Sequence, residues 1–192
     1  MVLPIVAYGD AVLKKKAQEI SAGYPDLDKV LQNMFDTMHN AKGVGLAAPQ
    51  VGLSIRIFIV DASPYAEDQE DEKKQKELAN FRKIFINPVI LNENGQPWKF
   101  NEGCLSIPTI REDVERMPNI RIKYLDENFK SHDEKYDGVR ARIIQHEYDH
   151  VEGILFVDKI NPLRKRLLKR KLTDLSKGYV DVAYRMKFPL KK

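Results

Sequence analysis

Residues 145–150 read Gln-His-Glu-Tyr-Asp-His, and this run constrains the chain more than any other. Two histidines four residues apart share a face only on a helix, where they lie one turn apart. Two imidazoles so placed can hold one divalent metal ion, and Glu147 beside the first can accept a proton from water on that metal. The chain has only four histidines, so two of them spaced around a glutamate are not expected by accident. A fold that uses this pattern places one helix at its centre and brings a further ligand from elsewhere, because a catalytic metal normally has three protein ligands and an open position.

Downstream, the metalloprotease pattern H-E-x-x-H-x-x-G-x-x-H finds its glycine at Gly153 but ends on Phe156, which cannot ligate. No glutamate follows Glu152, and Asp174 lies in a basic, leucine-striped segment. Upstream stands the lone thiol, Cys104, in Glu102-Gly-Cys-Leu-Ser-Ile-Pro108. A single cysteine is more often a small core residue than a ligand, yet Gly103 beside it at a strand end favours close backbone approach. Cys104, His146 and His150 plus water form a chemically reasonable tetrahedral set.

Around that set the patterning predicts an α+β fold, mostly antiparallel β-sheets around the central metal-binding helix, with a helical N-terminal region and a C-terminal helix. Apolar residues Leu27, Val30, Leu31, Met34, Phe35 and Met38 make one helical stripe within 24–42, with Gly43 as its stop. Segments 55–60, 84–91, 98–107 and 119–126 read as strands, the last by clean alternation. Residues 65–79 carry nine charges in fifteen positions and read as a solvated insertion or mobile loop. The central helix is expected from about Val139 past His150. A last helix is expected to start at Asn161-Pro162, with Leu163, Leu167, Leu168, Leu172 and Leu175 as its inward stripe. No repeat or linker interrupts the 192 residues, so one domain over 1–192 is expected.

A 43% apolar and 31% charged composition describes an ordinary globular surface, and one cysteine excludes an internal disulfide. No run approaches the roughly 18 apolar residues of a membrane span, and the N-terminal residues lack secretory order, so a cytoplasmic setting away from membranes is expected. Residues 159–192 hold twelve basic and two acidic side chains, against 20 and 26 in the other 158. Arg164, Lys165, Arg166, Lys169, Arg170 and Lys171 on the last helix suit either a solvated face or contact with ribosomal RNA or protein. Nothing points to DNA.

Three segments, GVGLAAPQ (43–50), EGCLSIP (102–108) and QHEYDH (145–150), together resemble the signature motifs of the peptide deformylase family in order and spacing. The resemblance spans essentially the whole chain. It departs at Val151, where the family often has leucine, and in the charged insertion at 67–77. It implies hydrolysis of the formyl amide of N-formylmethionyl peptides. Cys104, His146 and His150 would hold the metal, with water in the fourth position and Glu147 as base and then acid. Gln50, through its side-chain amide, and Leu105, through its backbone N–H, match the positions that stabilise the developing oxyanion. Val44 and Gly45 would run beside the peptide as an added strand.

Val44 and Ile143 are candidates for the methionine pocket. Arg111 reads either as a peptide contact or as a surface arginine, Arg142 either as pocket rim or as a solvated position. Asp149 is expected to anchor the helix through an arginine such as Arg116. Thiolate and imidazole suit Fe(II), zinc, nickel or cobalt, and the resemblance points to Fe(II) as the native ion. Two other readings stand beside this one: a peptide-bond-cleaving metallopeptidase using the same helix, and a nonenzymatic ribosome-binding protein with a structural metal.

Overall fold

The computed structural model of the chain describes residues 1–189, so Lys191 and Lys192 of the basic closing segment lie outside the described residues. Along the chain run β1 (Ile5–Val6), α1 (Leu27–Asn40), β2 (Gly45–Ala47), β3 (Ile57–Asp61), α2 (Glu72–Ala79), β4 (Arg82–Asn94), β5 (Trp98–Cys104) and β6 (Ile107–Arg116). There follow β7 (Asn119–Leu125), β8 (Ser131–Asp137), α3 (Gly138–Val151), α4 (Pro162–Ser176) and β9 (Met186–Lys187). The main sheet has the order β2-β3-β4-β7-β8, antiparallel throughout, and β5-β6 form a separate antiparallel hairpin. The parallel pair β1-β9 joins the two ends of the described chain. No helix among the described residues is long and apolar enough to cross a membrane.

Strand β3 shows why the sheet occupies the middle. Its residues Ile57 to Val60 are all buried, and successive side chains point to opposite faces. Phe58 and Val60 join Phe85, Tyr124 and the α3 residues Ala141, Ile143 and Ile144 in one core. Ile57 and Ile59 join Leu31, Met34, Phe35 and Met38 of α1 in another. A third core packs Ile107, Ile110 and Val114 of β6 against Phe156 and the α4 leucines Leu168, Leu172 and Leu175. Helix α3 thus runs behind the short strand β2, and the β5-β6 hairpin closes over its ligand-bearing side.

Several elements differ from the sequence expectation. The charged stretch 65–79 is not all loop: Asp71 accepts from Lys74 N–H at 2.9 Å and caps α2, which is rich in good helix formers and buries Leu78. The strand expected over 98–107 breaks at a turn through Leu105 and Ser106, and β6 begins at Ile107. On α4, Leu163 and Leu167 are each 72% exposed, because the core beneath reaches only the face carrying Leu168, Leu172 and Leu175. The α1 turn-off falls at Lys42, with φ 54, rather than at Gly43. At Gly43 itself a Cβ would lie 2.7 Å from Leu105 Cδ1, so a side chain there would have to displace that methyl group.

One polar cluster ties β4, β7 and β8. Lys83 Nζ lies 2.8 Å from Glu134 Oε2, the Tyr124 hydroxyl donates to the same oxygen at 2.6 Å, and Tyr136 donates to it as well. Burial pushes the Glu134 carboxyl up, but these hydrogen bonds outweigh it and hold it down at about 2. A carboxyl that titrates lower when folded than its ordinary 4.5 stabilises the fold fully above that value and loses the contribution as pH falls through about 2. Glu134→Gln is therefore expected to flatten the acid limb of the urea-unfolding free energy between those values, and an unchanged limb would exclude Glu134 as its source.

Candidate metal centre

Helix α3 carries Gln145, His146, Glu147, Asp149 and His150 in two successive turns, and it is buried along most of its length. The rings of His146 and His150 have centroids 5.2 Å apart. Cys104, the last residue of β5, reaches them from the hairpin, with Sγ 3.2 Å from His150 Nε2. One ligand atom from each of Cys104, His146 and His150 lies within 4.8 Å of the others, the mutual spacing one tetrahedral ion needs.

Protons follow from the surroundings. Burial, with the nearby His146 and Arg116, pushes His150 well below its ordinary value, so it is held in the neutral form that ligates. Burial also pushes His146 down, but its contacts with Cys104 and Glu102 outweigh that and raise it, so an ion entering this set displaces a proton. The buried atoms without a hydrogen-bond partner among the described residues include Glu147 Oε2 and His150 Nδ1. A buried carboxylate oxygen without a protein partner calls for water, substrate or ion beside it. The donor set and this orphaned oxygen both fit a bound divalent metal.

Glu102 organises the centre, and its role was missed in the sequence. Its carboxylate accepts from His146 Nδ1 at 2.9 Å, from Arg116 Nε and Nη2 at 2.7 and 3.0 Å, and from Arg142 Nη1 at 3.0 Å. The His146 bond leaves Nε2 of that ring facing the thiol and fixes the tautomer. Burial pushes Glu102 up, yet the His146 and Arg116 hydrogen bonds win and hold it well below the usual carboxylate range. Arg116 also donates to Asp149 at 2.6 Å, the pairing expected from the sequence, and so ties α3 to β6. Arg142 is neither solvated nor merely at a rim. It is 2% exposed and donates to the carbonyls of Trp98 and Val114 as well as to Glu102. A period-2 reading of β5 was the available signal, since it puts Trp98, Phe100, Glu102 and Cys104 on one face.

Strand β2 presses on Glu147. A Cβ at Gly45 would come within 2.8 Å of Glu147 Cγ and Cδ, so only glycine lets the strand lie against this carboxylate. Burial raises Glu147 to about 7 against the lowering pull of His146. Gln50, in the short helical turn Ala48–Val51, accepts from Ala47 N–H through Oε1 at 2.8 Å. That bond aims Nε2 at Cys104 Sγ and Ser106 Oγ, 3.5 and 3.4 Å away.

These residues surround one cleft of about 430 Å³. Val44, Gly45, Gln50, Cys104, Leu105, Arg111, Ile143, His146 and Glu147 line it, and His150 completes the ligand set from behind Cys104. Arg111 lies across the hairpin from Gly103, with Nε 2.9 Å from Asn101 Oδ1 and Nη2 2.6 Å from the Asn101 carbonyl. Tyr65, Phe100, Thr109 and Tyr184 also line the cleft and are not among the residues expected from the sequence. Tyr65 and Tyr184 are remote in sequence from the three motifs and carried no local signal.

Removing one charge from a buried network leaves its partners uncompensated, at a cost of about 3–5 kcal/mol, and losing a ligand's orienting partner typically weakens metal binding about 10–100-fold. Glu102→Gln is expected to show both, in urea melts and in competition with a chromophoric chelator. Unchanged metal affinity would remove Glu102 from the role of orienting His146.

The sequence pattern of the polypeptide deformylase family matches residues 2–166. A peptide deformylase from Christiangramia forsetii is 59% identical over 190 residues, covering 98% of this chain and 97% of that protein. One from Cytophaga hutchinsonii is 56% identical over 192 residues and covers all of both. Among solved structures, peptide deformylase from Plasmodium falciparum matches with TM-score 0.78 at 37% identity, over 91% of this chain and 96% of that one. The Legionella pneumophila peptide deformylase matches with TM-score 0.77 at 33% identity, over 93% and 98%. Likeness at this level along nearly the full length, in sequence and in fold alike, means that the chain belongs to the polypeptide deformylase family.

Proposed function

We propose that the chain hydrolyses the formyl amide of newly made peptides that begin with N-formylmethionine, releasing formate and a free amino terminus. The observation that carries this is the convergence of the Cys104, His146 and His150 ligand atoms beside the partnerless Glu147 carboxylate oxygen, in one cleft. Cys104, His146 and His150 hold one divalent ion, which supplies Lewis acidity toward carbonyl oxygen and water. Fe(II) is the native ion in this reading, with zinc, nickel and cobalt able to occupy the same donors.

Each remaining step belongs to the chain's own groups. Glu147 takes a proton from the water that attacks the formyl carbon, and passes it to the amine nitrogen as the C–N bond breaks. Gln50 Nε2 and the Leu105 N–H donate to the formyl oxygen as it becomes negative. The Val44-Gly45 edge of β2 pairs with the peptide backbone, Arg111 faces the peptide, and Ile143 with Val44 bounds the methionine side chain. Residues 1–192 act as one catalytic unit.

A nascent-chain substrate places the protein in the cytoplasm beside ribosomes. The exposed Leu163 and Leu167 on α4 stand among basic side chains, the mixture that suits a ribosomal surface. Reversing Arg166, Lys169 and Lys171 to glutamate is expected to abolish co-sedimentation with ribosomes, and undiminished co-sedimentation would remove this contact.

Protein purified anaerobically and loaded with Fe(II) is expected to release formate from formyl-Met-Ala-Ser, and Glu147→Ala to lower the rate by about 10²–10⁴-fold with the metal retained. Background formate from metal-loaded wild-type protein would overturn the assignment. Gly45→Ala, which drives a methyl group into the Glu147 carboxylate, is expected to lower kcat while metal content stays near one per chain. A rate equal to wild type would show that β2 does not position the base.

A further inference from the structure

Beyond α4 the chain folds back as a strap beside the cleft, to which it contributes Tyr184. Ile5 N–H donates to the Arg185 carbonyl and Ala7 N–H to the Lys187 carbonyl, both at 2.9 Å, which seats β9 beside β1. From this strap the Tyr184 side chain, half-buried, joins Cys104 and Leu105 in the cleft wall. Its hydroxyl donates to the Leu105 carbonyl at 2.8 Å, across 79 residues of chain. On the other flank, Tyr8 N–H donates to the Ser106 carbonyl at 2.9 Å. Both carbonyls of the turn between β5 and β6 are therefore held by the paired ends of the described chain. The strap lies beyond residue 166, where the matched family pattern stops.

We propose that Tyr184 is a positioning residue for the hydrolysis: its hydroxyl fixes the Leu105 carbonyl so that the turn offers the Leu105 N–H to the reacting oxygen in one direction. This rests on the role given to Leu105 above. A donor aimed at charge that develops during the reaction helps only if it is already in place. A loosened turn still admits the ground-state peptide, so the loss falls on kcat and spares KM.

The test is steady-state formate release from formyl-Met-Ala-Ser by Fe(II)-loaded wild type and Tyr184→Phe, with metal content and melting temperature measured on the same samples. The phenylalanine keeps the ring and removes one hydrogen bond. It is expected to lower kcat about five- to twentyfold with KM within about twofold, at equal metal content. Unchanged kcat overturns the proposal, and so does a change confined to KM. If Tyr184→Phe melts earlier, Met186→Ala loosens the same strap while keeping the hydroxyl. An equal fall in kcat there overturns the proposal, and a clearly smaller one supports it. A wild type that releases no formate overturns the deformylase reading and this proposal together, whereas an active wild type matched by Tyr184→Phe overturns this proposal alone.

Discussion

The structure turns on one buried carboxylate. Glu102 is 4% exposed and meets two arginines and a histidine, drawn from two other elements of the fold. An isolated buried charge is very costly, so the side chains that neutralise it have to arrive together. Arg116 comes from β6, Arg142 and His146 from α3, and Glu102 itself from β5. Their convergence leaves one way to dock the hairpin on the helix. Cys104 follows Glu102 by two residues on the same strand face, and His146 is bonded directly to it, so one carboxylate sets where the thiol stands relative to the imidazoles.

The same logic, inverted, applies to Glu147. Glu102 and Asp149 nearby are paired, whereas among the described residues the Glu147 carboxylate keeps a buried oxygen without a protein partner. Folding gains nothing from this, and a structure built only for stability has no reason to bury it. The fold keeps it there by packing α3 against the sheet through Ala141, Ile143 and Ile144, and by laying β2 over it at Gly45, where a side chain has no room. The cleft's reactivity and its narrow tolerance for substitution share this source. Aliphatic packing supplies the stability, and the polar groups around the cleft spend part of it.

Legibility in the sequence followed the strength of local periodicity. Helix α1 and strands β3, β4 and β7 were readable because their buried residues are apolar, and α3 was readable from the four-residue spacing of its histidines although five of its nine buried residues are polar. Strand β8 was not: it is an edge strand whose seven residues bury only Tyr136. Strand β6 hid for a subtler reason. Its inward positions include Arg116, which is buried because Glu102 meets it, and Thr109, with φ 64, shifts the alternation near the strand's start. No local pattern announces a buried arginine whose partner is fourteen residues away. Leu163 and Leu167 misled in the opposite sense, since a leucine stripe states what can be buried and not how far the core extends.

Sequence alone determined the helix that carries the two histidines, the lone thiol available to them, and the glycine-rich segment that had to lie close to something. Spacing along a helix and the chemistry of ligands are local properties, and they survive without a fold. Only the tertiary structure decided that Glu102 orients His146, that Arg142 is buried rather than solvated, that Gly45 makes room for Glu147, and that Tyr184 reaches Leu105. Each of these joins residues from separate elements, and such contacts depend on how strands and helices pack in three dimensions, which no periodicity along the chain encodes.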